Sequence, residues 1–463
     1  MSAQPSITFV TGVGTVTGAN FLLETAGGSK ILVDCGLVQG EKVALDENRE
    51  PFPYDLSSID ALIVTHAHLD HVGRIPKLVR EGYSGPIYST PQTRSLAELV
   101  MNDAANILAM ESRQEGREPL YVLEDVAPAL ALWKTIPYHE QFKLTDDVSI
   151  FLKDAGHILG SSMVEASVGM TADQGSILKI LFTGDVGNSP APLLRDTEPV
   201  GDVDFMVMES VYGDRNHEDR EQRSELFQKI ITDTIARGGT LVIPAFSIDR
   251  TQVLLYELNN FVKQGMIPSV PVFVDSPMAT KATEVYESNT ELFNDAAQAQ
   301  IRKGDDLFSF PHLQFTSSAD QSGGIDRMKG AKIILAGSGM SVGGRVISHE
   351  EYFLPDPKNT ILLVGYQSAG SLGRELADGA RKVNIHGRKV SVGARIETIY
   401  GFSAHKDGDH LVGLVETASD RLKKVFVVMG EPKSSMHLAQ RINDELKVKA
   451  LMPERNVPYP LEL

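Results

Sequence analysis

The sequence predicts an α/β protein built from two domains. Its 463 residues exceed the length of an ordinary single domain, and 42% of them are hydrophobic, which is enough for a sizeable core. The first 65 residues form short apolar runs separated by turn residues, a pattern typical of strands. After Glu209, apolar strands alternate with helical patterns, and this alternation predicts parallel βα units in a second domain.

The N-terminal part begins with four predicted strands, which carry the runs SITFVTG, NFLLETAGG, KILVDCG and IDALIVTH. Several of them end in a polar residue that can enter a site, namely Asp34, Thr65 and His66. The glycines of TGVGTVTGAN miss the spacing of a dinucleotide-binding loop, and a strand follows where such a loop needs a helix. We therefore expect no dinucleotide site there.

The following elements continue the α/β pattern. Residues 93–116 place apolar residues at helical spacing and end at a glycine, which predicts a core-facing helix. Two more strands carry SIFLKDAGHILGSS and ILKILFTGD. A helix at about 219–237, the strand GTLVIPAFS, a helix opening at Asp249 and the strand VPVFVDSP then form the predicted βα units. From about residue 383 the chain returns to short strands.

Composition and charge limit the classes of function. A net charge of −17 and a pI near 5.2 argue against a broad basic surface for nucleic acid, so a polyanionic substrate would need metal ions and a few placed Arg or Lys side chains. No run approaches the ~20 apolar residues of a membrane helix, and the first residues lack a signal-peptide pattern. We expect a cytoplasmic protein with no membrane partner, in which Cys35 is a buried thiol.

The run THAHLDH, residues 65–71, is the strongest chemical signal. His66 and His68 face the same side of an extended strand end, and the tight turn after them can bring Asp70 and His71 to the same point. Imidazole and carboxylate suit zinc, manganese or iron, and the near absence of cysteine indicates a catalytic site instead of a thiolate structural site. We interpret the run as a metal site and not as a surface histidine patch.

Two later strand ends extend this site. His157 lies in DAGHILGSS and Asp185 in FTGD. Either residue alone would more often be structural, but together they supply a third imidazole for one ion and a carboxylate that can bridge two. Two ions about 3.5 to 4 Å apart are the arrangement used for in-line hydrolysis of phosphate esters.

With these residues the sequence resembles the metallo-β-lactamase superfamily, in which HxHxDH and later His and Asp residues form a dinuclear zinc site at the edge of an αββα sandwich. Its β-CASP branch contains nucleases such as the endonuclease of mRNA 3′-end processing and its bacterial and archaeal relatives. The runs that resemble this branch are MESVYGDR, LVIPAFSIDRTQ, VDSPMA, LAGSGMSVGGR, GYQSAGSLGR and GFSAHKD. The resemblance implies a sandwich of residues 1–212 and 383–463, an inserted β-CASP α/β domain of residues 213–382, and an active site in the cleft that joins them.

The resemblance also implies a role for each site residue. Two zinc ions would be held by the metal ligands His66, His68, Asp70, His71, His157 and Asp185. Asp185 would bridge the ions, and Asp34 would orient ligands from outside the site. The catalytic residues would be Asp70, Glu209 and His405: zinc acidifies the attacking water, and His405, kept protonated by Glu209, protonates the departing 3′-oxygen. Such a reaction leaves a 5′-phosphate and a 3′-hydroxyl.

The candidate substrate-binding residues lie in the second domain. Backbone amides around Ser338 and Gly339 predict a nest that accepts phosphate oxygens. The candidates for neutralising the substrate backbone are Arg250, Lys281, Arg345 and Arg374. For each of these residues, an ordinary tight turn or a solvated cation is an equal alternative.

The run KVFVVMGEPKSS departs from the pattern of the RNA-cutting members, which have a histidine where this chain has Met429. A thioether is a weak zinc ligand, so we expect the second zinc site to be weakened. Alternatively, Met429 packs in the core and a neighbour such as His437 replaces the ligand. DNA-directed members also lack this histidine, so a DNA substrate remains an alternative to RNA.

The leading hypothesis is therefore a zinc-dependent ribonuclease that acts on single-stranded RNA in RNA processing or decay. The alternatives are a catalytically weak or silent RNA-binding member and a DNA-directed nuclease of the same branch. Silent members usually lose several metal ligands, whereas all the predicted ligands from His66 to Asp185 remain here. The chain is also compatible with a homodimer, and the sequence favours neither endonucleolytic nor exonucleolytic cleavage.

Overall fold

The structure, a computed structural model, describes residues 4–40, 46–169, 177–217, 220–368 and 370–462. The chain divides into two compact units. Unit 1 comprises Met1–Asn216 and His405–Leu463, and unit 2 comprises His217–Ala404. Within the described ranges, no helix is both long and apolar enough to cross a membrane.

The first sheet of unit 1 mixes antiparallel and parallel strands. It contains β1 (Ser6–Thr11), β2 (Asn20–Glu24), β3 (Lys30–Val33), β4 (Ala61–Ile63), β5 (Ile87–Ser89), β6 (Trp133–Thr135) and β22 (Pro458–Pro460). The spatial order is β22-β1-β2-β3-β4-β5-β6. Strands β22 to β3 pair antiparallel and β3 to β6 pair parallel. Because β1 pairs directly with β2, the glycine-rich run between them leads into a strand, as the sequence predicts.

The second sheet of unit 1 faces the first across a shared core. It contains β7 (Phe142–Lys143), β8 (Val148–Asp154), β9 (Ser162–Gly169), β10 (Ile177–Phe182), β11 (Phe205–Met208), β20 (Lys424–Val427) and β21 (Lys449–Leu451), in the order β21-β20-β11-β10-β9-β8-β7. Burial alternates along β8, so Val148, Ile150 and Leu152 point into the core. There they join buried side chains of the first sheet such as Phe21.

Helices cover the outer faces of the two sheets. Those of unit 1 are α1 (Leu69–Val72), α2 (Ile75–Arg80), α3 (Pro91–Glu115), α4 (Val126–Ala131), α12 (Gly408–Glu416) and α13 (Pro432–Arg441). Helix α3 contacts β6, whereas α12 and α13 bury Leu411, Val415 and Leu438 against the second sheet. This layering is the predicted αββα sandwich.

Helix α3 shows how local sequence sets the ends of an element. Its position agrees with the helix predicted over 93–116. At its start, Thr90 Oγ1 accepts a hydrogen bond from the Thr93 backbone N–H. At its end, Gly116 adopts a φ of 67°, a left-handed conformation that glycine accepts without strain.

Unit 2 is built around a parallel sheet. Its strands β12 (Thr240–Pro244), β13 (Val272–Asp275), β14 (Leu313–Phe315), β15 (Lys332–Ala336), β16 (Thr360–Leu363) and β19 (Arg395–Thr398) lie in the order β14-β13-β15-β12-β16-β19. Its helices are α5 (Arg220–Ala236), α6 (Arg250–Lys263), α7 (Pro277–Glu287), α8 (Asp295–Arg302), α9 (Ala319–Arg327), α10 (Val346–Phe353) and α11 (Leu372–Ala377). All neighbouring pairs are parallel, as the βα pattern predicts.

The second boundary of unit 2 differs from the predicted one. The sequence places the return to the first domain at residue 383, but unit 2 continues to Ala404. Strands β17 (Lys382–Ile385) and β18 (Arg388–Ser391) form a hairpin whose buried side chains join the core of unit 2. Strand β19 then pairs with β16 at the edge of the unit 2 sheet. These pairings with the inserted sheet explain why the boundary shifts.

Candidate active site

The histidines and acids of unit 1 meet where several strands end. His66 follows β4, and His68 is the N-cap of α1, which carries Asp70 and His71. His157 follows β8 and Asp185 follows β10. Because β4 belongs to the first sheet and β8 and β10 to the second, the residues gather at one edge of the sandwich.

The first group of possible metal ligands comprises His66, His68, His157 and Asp185. His68 Nδ1 lies 3.1 Å from Nε2 of His66 and 3.1 Å from Nε2 of His157. Asp185 Oδ2 lies 3.5 Å from His66 Nε2 and 3.6 Å from His157 Nε2. Donor atoms around a tetrahedral zinc ion with bonds of ~2.0–2.1 Å are about 3.3 Å apart. The four side chains therefore fit one tetrahedral ion.

The second group comprises Asp70, His71 and Asp185. His71 Nε2 lies 3.4 Å from Asp185 Oδ1 and 3.9 Å from Asp70 Oδ2. Within the part of the chain that the structure describes, His71 Nε2 and Asp185 Oδ1 are buried and make no hydrogen bond. Buried polar atoms are ordinarily satisfied, so these two atoms fit a cation between them. Asp185 thus offers one carboxylate oxygen to each group, as a bridging carboxylate can.

Asp34 fixes the orientation of His71. Asp34 Oδ2 lies 2.7 Å from His71 Nδ1 and accepts a hydrogen bond of 2.8 Å from Thr65 Oγ1, while Asp34 Oδ1 accepts one of 2.8 Å from the Thr65 backbone N–H. An Nδ1–H that donates to a carboxylate leaves the Nε2 lone pair for a metal. The contacts of Asp34 are those expected of a residue that orients a ligand.

Glu209 and His405 form a pair beside the first group. His405 Nδ1 lies 3.1 Å from Glu209 Oε1 and 3.9 Å from Asp185 Oδ2, and Glu209 Oε1 also accepts a 2.8 Å hydrogen bond from Val186 N–H. Burial lowers the pKa of His405, but the Glu209 carboxylate outweighs it and raises this pKa to about 9. The His405 side chain remains 21% exposed, so a protonated imidazole is accessible from outside.

Lys406 is a site neighbour that the sequence reasoning missed. Its Nζ donates to the Gly187 carbonyl at 2.7 Å and to Ser189 Oγ at 2.8 Å, and so ties the segment after Asp185 to His405. Burial lowers the pKa of Lys406 to about 8. The sequence signal is its position next to His405, but a lysine is ordinarily solvated, so this signal carries little weight.

Met429, the residue that departs from the family pattern, packs in the core. It follows β20, is 2% exposed and has a φ of 47°. A Cβ added at Gly12 would lie 2.8 Å from its sulfur, so the thioether packs against that glycine. Residue 429 also lines a small cavity together with His71 and Glu209. His437 lies on the exposed face of α13, beyond the strand end.

The predicted substrate-binding residues are dispersed over unit 2. Ser338 and Gly339 lie in the loop after β15, and Arg250 is the first residue of α6. Lys281 is exposed on α7, and Arg374 on α11 pairs with Asp378 at 3.0 Å. The backbone N–H of Ser338 donates to Gly343 O, so this amide is used inside the loop.

Arg345 has internal partners. Its Nη1 donates to Asp275 Oδ1 at 2.5 Å and its Nη2 to Ser317 O at 3.1 Å. Asp275 is fully buried and lies 2.8 Å from His349 Nε2, and His349 Nδ1 lies 2.6 Å from Asp326. The charge of Arg345 is therefore already compensated by a buried carboxylate.

Comparisons with known proteins agree with this geometry. Family models match residues 22–171 as a metallo-beta-lactamase superfamily domain, 251–376 as a Beta-Casp domain and 389–453 as a Zn-dependent metallo-hydrolase RNA specificity domain. The chain is 35% identical over 425 residues to Ribonuclease TTHA0252 of Thermus thermophilus, which covers 92% of this chain and 93% of that protein. The chain belongs to the β-CASP branch of the metallo-β-lactamase superfamily.

Two further relatives support the assignment, and one solved structure shares the fold. Transcription termination factor FttA of Methanosarcina mazei is 33% identical over 460 residues, covering 96% of this chain and 69% of FttA. FttA of Pyrococcus abyssi is 32% identical over 466 residues, with 96% and 70% covered. A crystal structure of an Enterococcus faecalis protein of unknown function shares the fold, with a TM-score of 0.54, 14% identity and coverage of 99% of this chain and 100% of that one. The predicted family and the predicted enzyme class, a metal-dependent hydrolase acting on RNA, are confirmed.

Proposed function

We propose that this β-CASP protein is a zinc-dependent ribonuclease that hydrolyses phosphodiester bonds of single-stranded RNA in RNA processing or decay. The observation that carries the proposal is Asp185, whose two oxygens face two separate groups of metal-ligand type beside the Glu209–His405 pair. The ribonuclease name of the Thermus relative supports RNA as the substrate.

The donor atoms divide between two ions. His66, His68, His157 and Asp185 Oδ2 would hold one zinc, and Asp70, His71 and Asp185 Oδ1 the other. Bound zinc would supply an acidified water near neutral pH and positive charge against the phosphate oxygens. Asp34 keeps His71 Nε2 directed at the second ion through its contact with Nδ1.

The protein's own side chains would move the protons. His405 is held through Nδ1 by Glu209, which leaves its Nε2–H to protonate the departing ribose 3′-oxygen. Asp70, which would help to hold the second ion, would also orient the attacking water. The products would carry a 5′-phosphate and a 3′-hydroxyl.

Cleavage assays with matched substrates test this function. A labelled single-stranded RNA, its duplex and the DNA of the same sequence are incubated with the zinc-loaded protein. We expect the single-stranded RNA to be cut with 5′-phosphate ends, and His405→Ala to slow the cut about 10²- to 10⁴-fold with unchanged zinc content. His410→Ala is the matched control, because His410 is half exposed on α12 and contacts Asp407. Binding without cleavage would indicate a silent RNA-binding member, and preferred cutting of DNA a DNA-directed nuclease.

The second zinc should be held more weakly than the first. Met429 supplies a thioether packed against Gly12, so the second ion has Asp70, His71 and a shared Asp185. After dialysis against a mild chelator, we expect about one zinc ion per chain, measured by inductively coupled plasma mass spectrometry. Met429→His should raise this number and the cleavage rate, since residue 429 lines the same cavity as His71.

Met429→Leu provides the control for the second site, because it keeps the apolar packing and adds no ligand. It should leave the zinc number unchanged. Two equally tight zinc ions in the unmodified protein, with no gain from Met429→His, would contradict a weakened second site.

A further inference from the structure

Phe246 is an exposed aromatic residue in an otherwise buried run. It follows β12 and is 41% exposed, whereas its neighbours Ala245 and Ile248 are 1% and 3% exposed. Single exposed apolar side chains are common on protein surfaces and need no explanation by themselves. Phe246 differs because its backbone and its ring are both held in place.

The backbone of Phe246 is fixed by the first turn of α6. Its carbonyl accepts hydrogen bonds from Thr251 Oγ1 at 2.8 Å and from the Thr251 backbone N–H at 3.2 Å. On the side toward the core, Ala245 N–H donates to Ala336 O at 2.9 Å. Residue 246 therefore has a fixed position between two strand ends.

The ring of Phe246 lies on the loop that follows β15. A Cβ added at Gly339 would lie 2.5 Å from ring atom Cδ2, so the ring can lie there because residue 339 is glycine. Gly339 is itself held, since its carbonyl accepts a 3.2 Å hydrogen bond from Gln367 Nε2. The ring rests on a fixed backbone, and 41% of the residue's surface stays exposed.

The position of this ring matches where parallel sheets bind ligands. The segments after β12, β13 and β15 meet here, as the 3.0 Å contact between Ser247 Oγ and Ser276 Oγ also shows. Ligands of open α/β sheets bind at the carboxyl ends of the strands. In proteins that bind single-stranded nucleic acid, exposed aromatic rings stack nucleobases, because every base offers a π-face whatever its sequence.

We infer that Phe246 is a stacking platform for one unpaired nucleobase of the RNA substrate. This inference rests on the proposed ribonuclease function and adds to it a substrate-positioning residue, Phe246 of the run LVIPAFSIDRTQ, to which the sequence analysis gave no role. A base inside a duplex is already stacked and paired, so this contact favours single-stranded RNA. It needs no basic surface, which suits a chain with a net charge of −17.

Three substitutions of Phe246 in the full-length protein separate stacking from packing. Binding of a short single-stranded RNA should weaken roughly 10- to 100-fold in Phe246→Ala. Phe246→Leu, which keeps an apolar side chain on Gly339 but has no π-face, should lose most of the same affinity. Phe246→Trp should bind at least as tightly as the unmodified protein.

Tyr352→Ala is the matched control. Tyr352 is 56% exposed near the end of α10, the helix whose first residue donates to Gly337 O. At the end of α10, the Phe353 carbonyl accepts a hydrogen bond from Asn359 Nδ2, and Asn359 Oδ1 accepts one from the N–H of Thr240, the first residue of β12. Tyr352 therefore lies near the amino ends of the strands, opposite to Phe246. Its substitution should leave RNA binding unchanged.

A series of RNAs, each lacking one base, gives the decisive measurement. In the unmodified protein, removal of one particular base should weaken binding about as much as Phe246→Ala does. In Phe246→Ala, removal of that base should have no further effect. If the unmodified protein cuts RNA but Phe246→Ala and Phe246→Leu bind normally, or Phe246→Trp fails as badly as Phe246→Ala, the stacking platform is wrong while the ribonuclease stands. Absence of any RNA binding or cleavage by the unmodified protein would overturn both.

Discussion

At the scale of single residues, the partner of each Nδ1 decides what an imidazole of this site can do. Asp34 binds Nδ1 of His71 and so directs Nε2 toward the second metal group. Glu209 binds Nδ1 of His405 in the same manner, but His405 is partly exposed and lies beside the metal groups. The same contact therefore prepares a metal ligand in one case and a proton donor in the other.

Glu209→Gln should shift the pH dependence of cleavage. Burial lowers the pKa of His405, whereas the Glu209 carboxylate raises it to about 9. Because His405 acts in its protonated form, activity is lost as pH rises through this pKa. Removal of the carboxylate charge lowers the pKa, so the alkaline limb of kcat/KM should move to lower pH. Asp407→Asn, which alters the partner of His410 instead, should leave that limb in place. An unchanged limb in Glu209→Gln would exclude His405 as the proton donor.

At the scale of elements, the strand ends were the most predictable feature. Asp34, His66, His157 and Asp185 each come shortly after an apolar run, and such a run indicates a strand that ends near the turn residues after it. This placed the four residues at the edge of the sandwich. The course of β19 was not predictable in the same way. Its pairing with β16 depends on two segments that are far apart in the chain, and local patterns carry no information about such pairing.

The partner of Arg345 was missed for the same reason. In the sequence Arg345 is a cation near a glycine-rich turn, and nothing local connects it with Asp275, which ends β13. In the structure Asp275 joins β13 to α10 through Arg345 and His349, and to α9 through Ser322. A residue expected to bind substrate thus holds the elements of unit 2 together.

Asp275→Ala should therefore destabilise the protein strongly. The substitution removes the buried carboxylate that pairs with the partly exposed Arg345 and with the buried His349, which keeps its contact with Asp326. Loss of one partner from a buried ion pair costs about 3–5 kcal/mol. Urea unfolding measures this loss. Asp378→Ala, which removes an exposed pair with Arg374, should cost less than about 1 kcal/mol. Equal stabilities of the two variants would show that the Asp275 network is not a source of stability.

At the scale of the whole molecule, the candidate site depends on the sandwich of unit 1. Four of the candidate metal ligands follow β4 of the first sheet, namely His66, His68, Asp70 and His71. The other two, His157 and Asp185, follow strands of the second sheet. Periodicity alone indicated strands and βα units, and the family resemblance supplied the sandwich that brings the two sheets together. Phe246 and Lys406 lie inside runs that resemble the family, but no role was predicted for either, since their importance comes from contacts with Gly339 and with the Gly187 carbonyl.

Zinc titration of the metal-stripped protein tests the central claim most directly. The rate of cleavage of a labelled single-stranded RNA is measured as zinc is added to the unmodified protein and to Asp185→Asn, which keeps the shape of the side chain but lacks the charge shared by both groups. We expect no cleavage by the stripped protein, recovery on addition of zinc, and no recovery in Asp185→Asn at the same zinc concentrations. Cleavage that survives complete removal of metal, or full recovery in Asp185→Asn, would contradict hydrolysis at this cluster.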